Sequence, residues 1–125
     1  MKILIVEDEK DYRDLLQKKL SEQHDINVLV AENGSDALDV VLDNRDINLI
    51  VLDLLMPKMD GITFLYKLRN ELKNATPVVI LTNFSDSAYP VGVADFIVKS
   101  DTSLDEAVNR IKSHLNPILL PRKKK

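Results

Sequence analysis

Short unbroken apolar runs alternate along the chain with longer stretches in which apolar residues recur every three or four positions. Ile3-Leu4-Ile5-Val6, Leu49-Ile50-Val51-Leu52 and Val78-Val79-Ile80-Leu81 have the form of strands buried on both faces. Residues 26–31 and Phe96-Ile97-Val98 read as two further strands. Tyr12, Leu15, Leu16 and Leu20 mark a first amphipathic helix. Ala37, Leu38, Val41 and Leu42 mark a second, after a turn at Asn33-Gly34. Leu65, Leu68 and Leu72 line a third, after a loop bracketed by Pro57 and Gly61. A last helix carries Leu104, Ala107, Val108, Ile111 and Leu115 on one face. Ser103 with Glu106 fits a capping box at its start, and Asn116-Pro117 stops it. This alternation predicts an α/β fold: an open, doubly wound, five-stranded parallel sheet with helices on both faces.

The crossover between the fourth and fifth strands is short. It spans residues 83–94, near the minimum of about a dozen residues that a parallel crossover needs. Pro90 lacks an N–H and disfavours helical geometry at Tyr89, and Gly92 offers a flexible exit. One helical turn at most is expected there, near residues 85–89.

In open α/β sheets the functional crevice lies beyond the carboxyl ends of the strands. Glu7, Asp8 and Glu9 follow the first strand. Asp53 ends the third, Thr82 the fourth and Lys99 the fifth. Converging carboxylates repel one another, and a divalent cation relieves the conflict; an all-oxygen site suits Mg²⁺. A carboxylate beside Mg²⁺ is a nucleophile toward phosphorus and forms an aspartyl phosphate. Phosphoryl transfer needs charge neutralisation and alignment, which Mg²⁺, the Lys99 ammonium and the Thr82 hydroxyl can supply.

Composition narrows the field. The 125 residues include no Cys, which excludes a disulfide scaffold, a Cys-type zinc site and thiol catalysis. No apolar run approaches the ~18–20 residues of a membrane span, and a cytoplasmic location is expected. Residues 122–125 hold four of the 17 basic residues, so the rest of the chain has thirteen basic against twenty acidic residues. An acidic body argues against direct nucleic-acid binding.

The segments Ile3-Leu4-Ile5-Val6-Glu7-Asp8-Glu9, Val51-Leu52-Asp53-Leu54-Leu55-Met56-Pro57-Lys58-Met59-Asp60-Gly61, Leu81-Thr82 and Phe96-Ile97-Val98-Lys99 resemble those of response-regulator receiver domains of two-component signalling. The resemblance runs from residue 2 to residue 115, and the second block is highly specific. It implies a flavodoxin-like sheet in the order 2-1-3-4-5. It implies that Asp53 is the phosphoacceptor for a histidine kinase phosphohistidine or a phosphotransfer protein. It also implies that Glu7, Asp8, Asp53 and the Leu55 backbone carbonyl hold Mg²⁺. Thr82 and Phe96 would be switch positions, and Lys99 would pair with the phosphoryl oxygens.

Three features depart from the family pattern. Ser100 stands where a proline usually follows the lysine. Leu55 and Phe84 are apolar where polar residues are common, which suggests that they shield the aspartyl phosphate from water. The helix before the fifth strand is shortened.

The expected organisation is a receiver domain over residues 1–117 and a basic tail over 118–125. The expected role is a stand-alone signalling switch, not an enzyme, acting through an unknown protein partner. The main alternative is a pseudo-receiver that binds partners without phosphorylation. A haloacid-dehalogenase-type hydrolase would need a second Asp where Leu55 stands. A flavodoxin-like electron carrier would need a Ser/Thr/Gly-rich loop where Glu7-Asp8-Glu9 stand.

Overall fold

The computed structural model describes residues 1–83 and 92–115. Five strands form one parallel sheet: β1 (Lys2–Val6), β2 (Asn27–Ala31), β3 (Leu49–Leu52), β4 (Val78–Thr82) and β5 (Asp95–Val98). Their order is β2-β1-β3-β4-β5, as expected. Ile3 pairs with Val28 on one side and Leu49 on the other, and Thr82 pairs with Val98. Every residue of β3 and β4 is buried, whereas β2, at the sheet edge, exposes Asn27 and Val30.

Alternate strand residues point to opposite faces, so each apolar run feeds two cores. Ile3, Ile5, Val51, Val79 and Leu81 pack against Leu16 and Leu20 of α1 (Lys10–Ser21) and Ala107, Val108 and Ile111 of α4 (Leu104–Ser113). Leu4, Val6, Ile50, Leu52 and Ile80 pack against Ala37 and Val41 of α2 (Gly34–Asp43) and Phe64 and Leu65 of α3 (Gly61–Tyr66). Each fully buried Leu or Ile contributes roughly 1.5–3 kcal/mol of transfer free energy.

Some details differ from the sequence reading. Leu15 and Leu42 fall on the outer edges of their helices and are about half exposed. Asn33-Gly34 is a helix start as well as a turn: the Asn33 side chain accepts from the Asp36 N–H at 2.9 Å and caps α2. The third helix is regular only to Tyr66. Lys67–Glu71 then winds as a wide π turn, in which the Leu72 N–H donates to the Lys67 carbonyl. The turn buries Leu68 and brings the Arg69 guanidinium to the carbonyls of Asn74 and Thr76, at 3.0 and 2.8 Å. Ser103 Oγ accepts from the Glu106 N–H at 3.1 Å and caps α4 as expected.

Gly92 has φ +82°, a left-handed conformation that glycine adopts without steric cost. There is no cis peptide bond among the described residues, so Lys99-Ser100 is trans, within a short 3₁₀ turn (Lys99–Asp101). The expected short helical turn near residues 85–89 and the basic tail lie outside the described residues.

Candidate functional site

The carboxyl ends of β1, β3, β4 and β5 meet at one rim. Glu7 continues the ladder of β1 by one residue, its N–H donating to the Ala31 carbonyl at 3.0 Å. The chain then turns through Asp8 and Glu9 into α1, and the Glu9 N–H donates to Glu7 Oε2 at 3.0 Å. Asp53, directly after β3, donates its N–H to the Val6 carbonyl at 3.0 Å. These ladder bonds fix both backbones, so the two carboxylates are aimed by the sheet.

Asp53 is held on every side. Its Oδ1 accepts from Thr82 Oγ1 at 2.6 Å and from the Leu55 N–H at 3.1 Å. Its Oδ2 lies 3.3 Å from Lys99 Nζ, which also reaches Glu7 Oε1 at 2.6 Å. Gly61 lets α3 start close behind Asp53. A Cβ at Gly61 would lie 2.4 Å from the Asp53 carbonyl oxygen and 2.7 Å from Leu54 Cα. Asp60 caps that helix by accepting from the Thr63 N–H at 2.8 Å.

The electrostatics are unbalanced. Glu7 and Asp53 are 2% and 5% exposed and share one ammonium. Burial pushes the Glu7 carboxyl up to about 7, with the Asp53 charge adding to it against hydrogen bonds from Lys99 and the Glu9 N–H. Burial works against the Lys99 charge, but Glu7 and Asp53 outweigh it and hold the ammonium above its ordinary value. Asp8 stands exposed at the mouth. One oxygen each from Glu7, Asp8 and Asp53 lies within 4.8 Å of the others. An all-oxygen set with surplus negative charge fits a hard divalent cation.

The structure thus brings together Glu7, Asp8, Asp53, Thr82 and Lys99. The Leu55 backbone joins them through its N–H, while its side chain is 53% exposed. That side chain lines an open cleft of about 480 Å³ with Leu54, Met56, Asp60 and Ile62. Phe96 sits in β5 opposite Ile80, half-buried against the α2–α3 core. Phe84 lies outside the described residues.

Two residues were missed. The buried Arg13 guanidinium donates to the carbonyls of Glu7 and Asp8, at 2.9 and 3.5 Å, and pins the acidic turn. Its signal was a charged residue in helical phase with Leu16 and Leu20. Tyr12, read as part of an apolar stripe, lies with its ring 4.5 Å from Lys99 Nζ.

The family model described as response regulator receiver domain matches residues 3–112. The transcriptional regulatory protein CpxR of Escherichia coli is 44% identical over 81 residues, covering 65% of this chain and 33% of that protein. The chain therefore spans about a third of that regulator's length. A chemotaxis protein CheY homolog of Campylobacter jejuni is 32% identical over 108 residues, covering 82% of this chain and 83% of that one. The response regulator TrrA of Thermotoga maritima, solved in complex with Mg²⁺ and BeF, superposes with a TM-score of 0.77 at 29% identity, covering 91% of this chain and 98% of that chain.

Proposed function

We propose that this chain, which belongs to the response regulator receiver domain family, is a phosphorylation switch whose Asp53 accepts a phosphoryl group from a histidine kinase phosphohistidine. The observation that carries this reading is the setting of Asp53: a nearly buried carboxylate with a hydroxyl, a backbone N–H and an ammonium directed at its oxygens.

Asp53 attacks phosphorus through a carboxylate oxygen. The P–N bond of the phosphohistidine breaks, and the imidazole leaves with the bond's electron pair. Lys99 follows the negative charge from the carboxylate to the phosphoryl oxygens. Thr82, whose hydroxyl donates to Asp53 in the present state, can turn its O–H to a phosphoryl oxygen. Glu7, Asp8, Asp53 and the Leu55 carbonyl would hold Mg²⁺, which neutralises charge on the transferring group. The mouth position of Asp8 leaves the cation reachable from solvent. The reoriented Thr82 and the half-buried Phe96 then alter the surface seen by a downstream partner. The chain acts as a switch and not as a turnover catalyst. Leu55, which cannot orient a water by hydrogen bonding, slows hydrolysis of the aspartyl phosphate.

Incubation with acetyl phosphate and Mg²⁺, followed by intact mass, should add one phosphoryl group. Asp53→Asn and EDTA should each abolish the addition, and Leu55→Asn should speed its decay. A parent that never labels would favour the pseudo-receiver instead. Equal labelling of Asp53→Asn would move the acceptor elsewhere.

A further inference from the structure

We infer that Tyr12 is a positioning residue for phosphoryl transfer, its ring face holding the Lys99 ammonium toward Asp53. This rests on the phosphoacceptor reading above and adds a residue to it.

Lys99 Nζ has three N–H donors. Glu7 accepts at 2.6 Å and Asp53 at 3.3 Å, and the Tyr12 ring centroid lies 4.5 Å from the nitrogen. The Lys99 side chain is only 9% exposed, so little water reaches the ammonium. The negative ring face of a neutral phenol attracts a cation, more strongly when both are shielded from water. Burial raises the Tyr12 hydroxyl above its ordinary value despite the Lys99 charge, and the phenol stays neutral at working pH.

The present distances show what the ring adds. Glu7 draws the ammonium closer than Asp53 does. When a phosphoryl group arrives at Asp53, the ammonium must shift toward the new oxygens. A ring face attracts a cation across its breadth, without one fixed acceptor atom, and so supports the ammonium at both ends of that shift. An aliphatic side chain would fill the same space without this attraction.

The ring is also well anchored. Tyr12 packs beside the core formed by Leu16, Leu20 and the sheet. Its neighbour Arg13 pins the carbonyls of Glu7 and Asp8. Consecutive residues of α1 thus hold the acidic turn and the ammonium in one frame.

The test is the rate of labelling by acetyl phosphate at saturating Mg²⁺, in a double-mutant cycle. Tyr12→Leu should slow labelling by about fivefold, from a cation–π contribution of the usual size. Tyr12→Phe should restore the rate to within about twofold, since the ring face remains. In a Lys99→Met background, Tyr12→Leu should cause no further slowing. The Lys99 Hε protons should show an upfield ring-current shift that Tyr12→Leu abolishes and Tyr12→Phe keeps. Equal slowing in both backgrounds would mean that Tyr12 acts through packing alone and would overturn the inference. So would an unshifted Lys99, or a Tyr12→Leu rate equal to the parent's. These results leave the phosphoacceptor reading intact if the parent labels and Asp53→Asn does not. A parent that does not label overturns both.

Discussion

β5 carries an ion cluster at each end, and the two clusters differ in their charge balance. Beyond its carboxyl end, Lys99 stands alone between Glu7 and Asp53, and all three side chains are less than a tenth exposed. At its amino end, Asp95 stands alone between Arg110 and His114 of the α4 region, on side chains 19–42% exposed. Burial pushes the Asp95 carboxyl up, but hydrogen bonds from Arg110, His114 and the Phe96 N–H outweigh it and hold it below its ordinary value. The Asp95 cluster is complete within the protein and ties β5 to α4. The Lys99 cluster has more negative charge than its one cation can match, in a place where burying charge is costly. Such a surplus fits a hard divalent cation supplied from outside.

Removing the Lys99 ammonium from the buried cluster should have the largest effect. Lys99→Met at pH 8 in EDTA should lose about 3 kcal/mol of stability, the scale of a broken buried pair. Urea unfolding measures it, and Mg²⁺ should recover most of the loss. A loss that Mg²⁺ does not touch would show that the surplus charge has no use for a cation.

The two ends should also respond to pH with opposite sign. Glu7 rises from an ordinary 4.5 to about 7 in the folded chain, so the folded state binds its proton more tightly. Its contribution is fully present below about 4.5 and is lost as pH rises through about 7. Asp95 lies below its ordinary 3.8, so its contribution is present above that value and is lost as pH falls through the lowered one. In EDTA the urea midpoint should therefore fall between pH 5 and pH 8, and Glu7→Gln should flatten that fall. Asp95→Asn should instead remove part of the acid-side loss.

The smallest effect belongs to the balanced end. Asp95→Asn at neutral pH should cost about 0.5–1 kcal/mol, a partly solvated pair being worth little. It should leave the labelling rate of Asp53 unchanged. A large change in labelling would join the two ends of β5 into one device and dissolve the contrast.

Much of this was legible before any coordinates. The strands are visible because a strand covered on both faces must be apolar throughout, and Glu7, Asp53, Thr82 and Lys99 stand out by abutting such runs. What stayed hidden depends on phase and on neighbours distant in sequence. Leu15 and Leu16 are equally apolar, and only the angle at which α1 meets the sheet exposes one and buries the other. Tyr12 looks like core until Lys99, far along the chain, comes to rest on its ring. Gly34 reads as part of a turn, yet a Cβ there would lie 2.8 Å from the Met59 carbonyl oxygen, an approach that no local pattern reveals. The wide turn after Tyr66 likewise has no signature in the spacing of Leu65, Leu68 and Leu72.

That wide turn bears on how the chain can change length. A π turn holds one residue more than an α turn, and such turns are rare because their winding is poorer. The surplus residue lies between Lys67 and Glu71, just upstream of the loop that leads to β4. Deleting one residue there can be absorbed by tighter winding, without dragging Val78 out of its pairing with Ile50. Such a deletion would leave the strand that delivers Thr82 to Asp53 where it is.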